Sequence, residues 1–336
     1  MSFHIAGKEI KLRDKVIDEL NISILSNNME ISIPYTIITG KEKGPVLYIG
    51  AGSHGDEVTS IYTALKLAKE LGPDDVKKGA IVVVPIHNPL AVLYKMRWGF
   101  IDYLDMNRVW PGDLEGNTTE IIAYSIFNNL ILSADYLIDL HTAASDGENQ
   151  PHVLVPPPEV FKKREGRDYA AKEDISLTMA KYFGLKFVRI SKTNERRKYY
   201  AYLYGQLHVV APSNGIPAIT VELGEGGRLS MEKFKIGYRG VINVARYLGI
   251  LYGEPEKFDE PIMLGEFKAI RAPIGGIAII NVSLGEFVKE GSTVAFVENI
   301  SRSVEVKAPM SGYIMRIRKY PIVEPGERLV VLASKS

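Results

Sequence analysis

Apolar and polar residues alternate through Ile22, Ile24, Ile31, Ile33, Tyr35 and Ile37, the spacing of half-buried strands across 21–39. Gly40 and the Lys43-Gly44-Pro45 turn close that section. An apolar strand over 46–51 follows, and then the period changes to that of a helix, with Ile61, Leu65, Ala68 and Leu71 on one face before Gly72-Pro73 stops it. Ala80 to Val84 reads as a fully buried strand. Thr118 or Thr119 is placed to cap a helix running to residue 132, and Tyr136 to Leu140 is strand-like again. A helix near 173–183, strands over 186–190 and 217–223, and a helix over 230–251 complete the series. Strands alternating with helices predict an α/β fold, a mixed β-sheet flanked by helices.

The pattern changes after Gly253. Gly253 to Lys257 and Glu260-Pro261 are charged and carry two prolines, which places a boundary between residues 1–255 and 262–336. Beyond it the helical period disappears. Ala272-Pro273-Ile274-Gly275-Gly276 recurs as Ala308-Pro309-Met310-Ser311-Gly312, each copy followed by β-branched runs and a glycine turn. Two β halves that each need the other to cover an apolar face predict a small all-β barrel-sandwich domain. This tail resembles a biotinyl/lipoyl carrier domain. The hairpin where a carrier presents its modified lysine reads Val297 to Ser303 here and has no lysine. The tail is therefore expected to be structural or to shape access, not to swing a cofactor.

Composition narrows the function classes. A chain of 336 residues with 46% hydrophobic positions can bury a large core, and two domains are the expectation. Lys and Arg (41) balance Asp and Glu (40), which argues against nucleic acid as the main partner. With no cysteine, a bound metal must rely on His, Asp or Glu. The N-terminus has no signal-peptide core and no apolar run reaches roughly 18 residues. A cytoplasmic protein without membrane contact is expected, and the sequence admits a homo-oligomer.

The chemistry gathers at strand ends. His54 and Glu57 lie in Gly52 to Glu57, just after the strand 46–51, with Gly55 tolerating a tight turn between them. His141 follows the strand at 136–140. Two histidines and a carboxylate form the ligand set of a catalytic zinc with an open position for water, although His54 capping a helix whose dipole Glu57 complements would look the same locally. Asp139 shares the face of His141 and is placed either to orient that imidazole or to be a solvated strand-end carboxylate. Glu222 is an acidic residue within an apolar strand, where burial of a charge needs a partner or a task. It is the candidate general base, with Glu225 in its glycine-rich loop as the competitor. Asn107-Arg108 joins an amide to a guanidinium suited to a carboxylate, and Arg97 is a second cation suited to an oxyanion.

In order along the chain, Gly44-Pro45, His54-Gly55-Asp56-Glu57, Asn88-Pro89, Arg97, Asp105 to Gly112, Asp139 to Ala143 and Val221 to Gly226 resemble the metallocarboxypeptidase clan. Within it they resemble the succinylglutamate desuccinylase/aspartoacylase family. The resemblance implies His54, Glu57 and His141 as ligands of one zinc and Glu222 as general base. It also implies Arg97 polarising the scissile carbonyl, with Asn107 and Arg108 holding the α-carboxylate of a small N-acyl amino acid. One feature departs from the family. Aspartoacylase relatives carry a further arginine shortly before the catalytic glutamate, whereas residues 201–221 here contain neither Arg nor Lys, and His208 is the remaining candidate cation. Tyr199, Tyr200, Tyr202 and Tyr204, after Arg196-Arg197-Lys198, read either as a substrate cap or as ordinary surface. His4 and His87 read as structural, and His152 as a residue of the pocket rim. The expected activity is zinc-dependent removal of an acyl group from an N-acylated amino acid. A zinc carboxypeptidase acting on peptides and a non-catalytic binding protein on the same scaffold stay open as alternatives.

Overall fold

A computed structural model of the protein describes residues 2–162, 175–191 and 205–336. Its centre is the strand Glu42–Ala51, which pairs in parallel with Lys78–Val84 on one side and Tyr136–His141 on the other. Tyr136–His141 pairs in parallel with Ala218–Glu222. The pairing then turns antiparallel to His152–Val155 and returns to parallel at Phe187–Ile190. The sheet is mixed, and the antiparallel strand at 152–155 has no counterpart in the periodicity, because four residues behind Pro151 are too short to show one.

Side chains alternate across this sheet. Leu47, Ile49, Ile81, Val83, Ile138, Leu140, Ile219 and Val221 pack on one face under the helices Val58–Glu70, Ile175–Phe183 and Met231–Tyr247. Val46, Tyr48, Ala80, Val82, Leu137 and Ala218 pack on the other under Thr118–Asn129 and Leu207–Ser213. Both faces are covered, so the central strands are near-continuous apolar runs. At the carboxyl ends of Tyr136–His141 and Ala218–Glu222 the register sets His141 and Glu222 side by side, with His152, the first residue of its antiparallel strand, next to Glu222.

Some boundaries differ from the sequence reading. Asn117, not a threonine, precedes the first helical residue of Thr118–Asn129, and its N–H donates to Glu120 Oε2 at 2.8 Å. That helix gives way to a 3₁₀ turn at Ile131–Ser133. The last helix stops at Tyr247, with Gly249 just beyond it at φ +69°. The tyrosine-rich stretch through Tyr204 lies outside the described residues. No helix among the described residues is long and apolar enough to cross a membrane.

The tail is all β. Thr293–Glu298 is flanked by Gly276–Ile280 and Ser303–Lys307 in a four-stranded sheet. Facing it are Ile262–Arg271, Gly312–Arg318 and Arg328–Lys335, and a separate core of Ile270, Val294, Val297, Val306, Ile314, Val330 and Leu332 fills the space between. Ala272 and Ala308, which open the repeated segments, are both buried in it. Ile262–Arg271 also pairs in parallel with Phe187–Ile190, so the tail's hydrogen bonding continues that of the main sheet. A small cluster of Phe187, Leu264, Met315 and Ala333 seals that junction.

Candidate active site

The chain leaves Ala51 through Gly52 at φ +69°, a conformation that favours glycine. Gly55 serves a different end. A Cβ there would lie 1.9 Å from the carbonyl oxygen of Ala91, so the tight approach of the helix Pro89–Tyr94 requires a residue without a side chain. This packing folds His54 and Glu57 toward each other. Glu57 immediately precedes the helix Val58–Glu70 but makes no side-chain cap; its carboxylate turns to the two imidazoles instead. Oε1 lies 2.6 Å from His54 Nδ1 and Oε2 lies 2.8 Å from His141 Nδ1, with the N–H of Thr142 donating to Oε2 at 3.0 Å.

Each imidazole is held from behind by a second carboxylate. Asp105 Oδ1 is 3.0 Å from His54 Nε2, and Asp139 Oδ2 is 2.9 Å from His141 Nε2. Asp139 is fully buried, which removes the solvated strand-end reading. Both rings thus present Nδ1 to a shared point. The donor atoms of His54, Glu57 and His141 lie within 4.8 Å of one another, and all three residues are buried.

The electrostatics favour positive charge at this point. Burial opposes protonation of His141, but Asp139 and Glu57 outweigh it and hold its pKa well above that of an ordinary imidazole. His54 is also raised: burial and Arg97 pull it down, while Glu57 and Asp105 pull it up by more. Glu57, Asp105 and Asp139 are held below the usual carboxylate range, because the neighbouring imidazoles overcome the burial that would raise them. Two nitrogen donors and a carboxylate, converging in a buried site with two further carboxylates behind them, fit a divalent cation by donor chemistry and charge.

Around the cluster, Arg97 is anchored to Asp105 Oδ2 by Nε at 3.0 Å and Nη2 at 2.9 Å, and its Nη1 is 3.4 Å from His54 Nδ1. Asn107 is buried. Its Nδ2 is 3.4 Å from His141 Nε2, and its Oδ1 accepts from the N–H of Leu207 at 3.3 Å. Arg108 Nη1 donates to the carbonyl of Asn107 at 2.6 Å. Glu222 stands beside His141 in register and is half-buried. Burial, and then the charge of Glu57, raise its pKa above the ordinary carboxylate value. Glu225 makes an isolated β-bridge with Glu148 in the following loop.

Burial holds His87, His152 and His208 well below the ordinary imidazole value. Burial pushes His208 down to about 3, and the hydroxyls of Ser191 and Thr220 lie 2.9 and 3.2 Å from its ring nitrogens. It is therefore a poor substitute for the missing arginine. His87, down to about 4 through burial, lies between Tyr48 and Ser53 under Gly50, where a Cβ would meet its ring at 2.3 Å. His152 is buried rather than at a rim, and burial lowers it to about 4. Sequence reasoning gave no role to Asp105 or to Asn149, whose Nδ2 donates to Glu222 Oε2 at 2.8 Å. Asp105 had a local signal: its side chain accepts from the N–H of Asn107, two residues on, where an aspartate opens a short helix.

Similarity to known proteins follows the same segments. The model of the succinylglutamate desuccinylase/aspartoacylase catalytic domain matches residues 43–248. The Nα-acetyl-L-2,4-diaminobutyric acid deacetylase of Halomonas elongata is 28% identical over 312 residues, covering 90% of this chain and 86% of its own. The structure of a succinylglutamate desuccinylase/aspartoacylase from Rhodobacter sphaeroides superposes with a TM-score of 0.83 at 21% identity, over 99% of this chain and all of that one. The product-bound ectoine utilization protein EutE (DoeB) of Ruegeria pomeroyi gives 0.81 at 23% identity, over 95% of each chain. The two structures share the fold, tail included. Because the matched span covers more than half of the chain and contains His54, Glu57, His141 and Glu222 together, this protein belongs to the succinylglutamate desuccinylase/aspartoacylase family.

Proposed function

We propose that this protein is a zinc-dependent amide hydrolase that removes the acyl group from a small N-acylated amino acid. The observation that carries the reading is the convergence of His54, Glu57 and His141 on one buried point, with Glu222 on the adjacent strand beside His141. His54, Glu57 and His141 would hold the ion. A bound zinc supplies Lewis acidity and brings the pKa of water toward ~7.

The remaining steps belong to the chain. Glu222 takes the proton from the attacking water and later gives it to the departing amine, a task suited to a carboxyl whose pKa burial has raised. Arg97, fixed by Asp105, directs Nη1 at the oxyanion formed on the acyl carbon. Asn107 and Arg108 receive the substrate's α-carboxylate. Residues 1–255 carry this chemistry, while 262–336 form the β-sandwich that flanks it.

The test is metal content measured alongside hydrolysis of N-acetyl, N-succinyl and N-formyl amino acids and short peptides. The Halomonas relative places Nα-acetyl-L-2,4-diaminobutyric acid first in that panel. One zinc per chain is expected, with turnover lost on chelation and restored by zinc. Glu222→Ala should keep the metal and lose about 10²–10⁴-fold in kcat, whereas His54→Ala should lose the metal. Turnover retained by Glu222→Ala would remove the base assignment. Cleavage of peptides without cleavage of acyl-amino acids would replace the deacylase with a carboxypeptidase.

A further inference from the structure

The carboxyl of Glu222 is tied to the C-terminal tail through a single amide. Asn149 Nδ2 donates to Glu222 Oε2 at 2.8 Å, and Asn149 Oδ1 accepts from Arg316 Nη1 at 3.1 Å. Arg316 is itself held, its Nη2 donating to Asp146 Oδ1 at 2.6 Å, and its side chain is only 13% exposed. The backbone enforces this meeting. Gly147–Asn149 pairs antiparallel with Gly312–Arg318, and the register sets Arg316 opposite Asn149. Gly147 leaves the path open, since a Cβ there would lie 2.6 Å from Arg316 Nη2.

An asparagine amide has an accepting end and a donating end, and turning it over exchanges them. A guanidinium only donates, so with Arg316 on one side Oδ1 must face it and Nδ2 must face Glu222. The reverse orientation would set Oδ1 against a carboxylate oxygen and an N–H₂ against a cation. Arg316 and the Glu222 carboxylate therefore fix the amide from both sides, and Arg316 keeps it fixed when the Glu222 carboxyl holds its proton. We infer that Asn149 and Arg316 are positioning residues for Glu222, holding Oε2 so that Oε1 handles the proton, and that the C-terminal tail thereby forms part of the catalytic apparatus. This inference rests on the reading of Glu222 as general base.

The test uses full-length, metal-loaded protein and the panel compound hydrolysed fastest, beginning with Nα-acetyl-L-2,4-diaminobutyric acid. Asn149→Ala and Arg316→Ala should each lower kcat about tenfold or more, with KM within about twofold and metal stoichiometry unchanged. Arg316→Lys, which keeps a donor for Oδ1, should recover part of the loss. Lys319→Ala, which breaks the Lys319–Glu148 ion pair at the same junction without touching Asn149, should leave kcat unaltered. In a Glu222→Ala background, Arg316→Ala should have no further effect on the residual rate. If Arg316→Ala fails to fold, Asn149→Ala carries the test, because it removes only the amide. Unchanged kcat in Asn149→Ala, alongside a dead Glu222→Ala, would overturn the positioning role and leave the base assignment standing. An active Glu222→Ala would overturn both. Unchanged kcat in a folded Arg316→Ala, with Asn149→Ala impaired, would overturn the role of Arg316 in setting the amide.

Discussion

Asp105 binds Arg97 through Nε and Nη2 on one carboxylate oxygen while its other oxygen holds His54 Nε2 at 3.0 Å. One carboxylate thus orients both a proposed metal ligand and the proposed oxyanion donor. It also accepts from the N–H of Asn107, which fixes the start of the segment carrying Asn107 and Arg108. Three proposed functions share this anchor.

Asp105→Asn keeps the size of the side chain and removes its charge. Losing the carboxylate behind a ligand imidazole should weaken metal binding by about 10–100-fold. Because Arg97 loses its anchor too, kcat/KM should stay depressed when metal is saturating. Metal-buffer titrations combined with kinetics at saturating zinc separate the two effects. Wild-type affinity in the variant would mean that packing alone orients His54.

The five buried histidines divide into two groups whose pH effects have opposite signs. In metal-free protein, His54 and His141 have pKa values raised above the unfolded value of about 6.5. Their contribution to stability is complete below that pH and is lost as pH rises through the folded values. His87, His152 and His208 are lowered to about 4, 4 and 3. Their contribution is complete above about 6.5 and is lost as pH falls toward those values, because the unfolded chain takes up protons that the folded one refuses. The histidine contribution to the Tm of metal-free protein should therefore peak near pH 6.5. Metal must displace the protons of the first group, so apparent metal affinity should rise from pH 6 to pH 8. Thermal unfolding with and without zinc across pH 5–9 checks both, and a metal affinity flat over that range would contradict the proton displacement.

The legible part of the molecule was that written in local periodicity. The buried strands near 46–51, 80–84, 136–140 and 217–223 carry unbroken apolar runs, and the three proposed ligands follow directly after two of them. What escaped was set by tertiary contact. Asn149 has no local mark of importance; it touches Glu222 because 147–149 runs beside Gly224 and Glu225, just past strand 218–222, at a junction that Arg316, far along the chain, completes. His152 sits in a four-residue strand, and its burial follows from an antiparallel pairing that no window of sequence reveals. Helix ends at 129 and 247 depended on a 3₁₀ turn and on Gly249, both weaker signals than the apolar stripe that runs past them.

Gly55→Ala should be among the more damaging single-methyl changes in the chain. The new Cβ would meet backbone atoms of Ala91, which cannot rotate away as a side chain would. A cost of about 3 kcal/mol or more is expected, with weakened metal binding because His54 and Glu57 flank the site. Gly326→Ala is the comparison. Its φ of +88° imposes strain but nothing lies within 4 Å, so about 1 kcal/mol should be lost and metal binding should not change. Denaturant unfolding and metal content of the two variants decide the matter; equal costs would mean that the helix Pro89–Tyr94 shifts freely.

A chain cut after residue 255 tests how far the first part stands alone. Removing 256–336 takes away the strand beside Phe187–Ile190 and leaves a hydrogen-bonding edge unpaired. It also uncovers Phe187, now 0% exposed, by deleting Leu264, Met315 and Ala333 from its cluster. The strand 147–149 loses its pairing with Gly312–Arg318, and Asn149 loses the arginine that holds one end of its amide. An exposed edge next to an exposed aromatic favours association over folding. The truncated chain should therefore elute as aggregate in size-exclusion chromatography and lack a sharp thermal transition. A monomeric 1–255 with a Tm within about 5 °C of the full chain would show that the main sheet closes without its partner strand. Its kcat would then report directly on the amide: a rate near wild type would separate Glu222 from the tail.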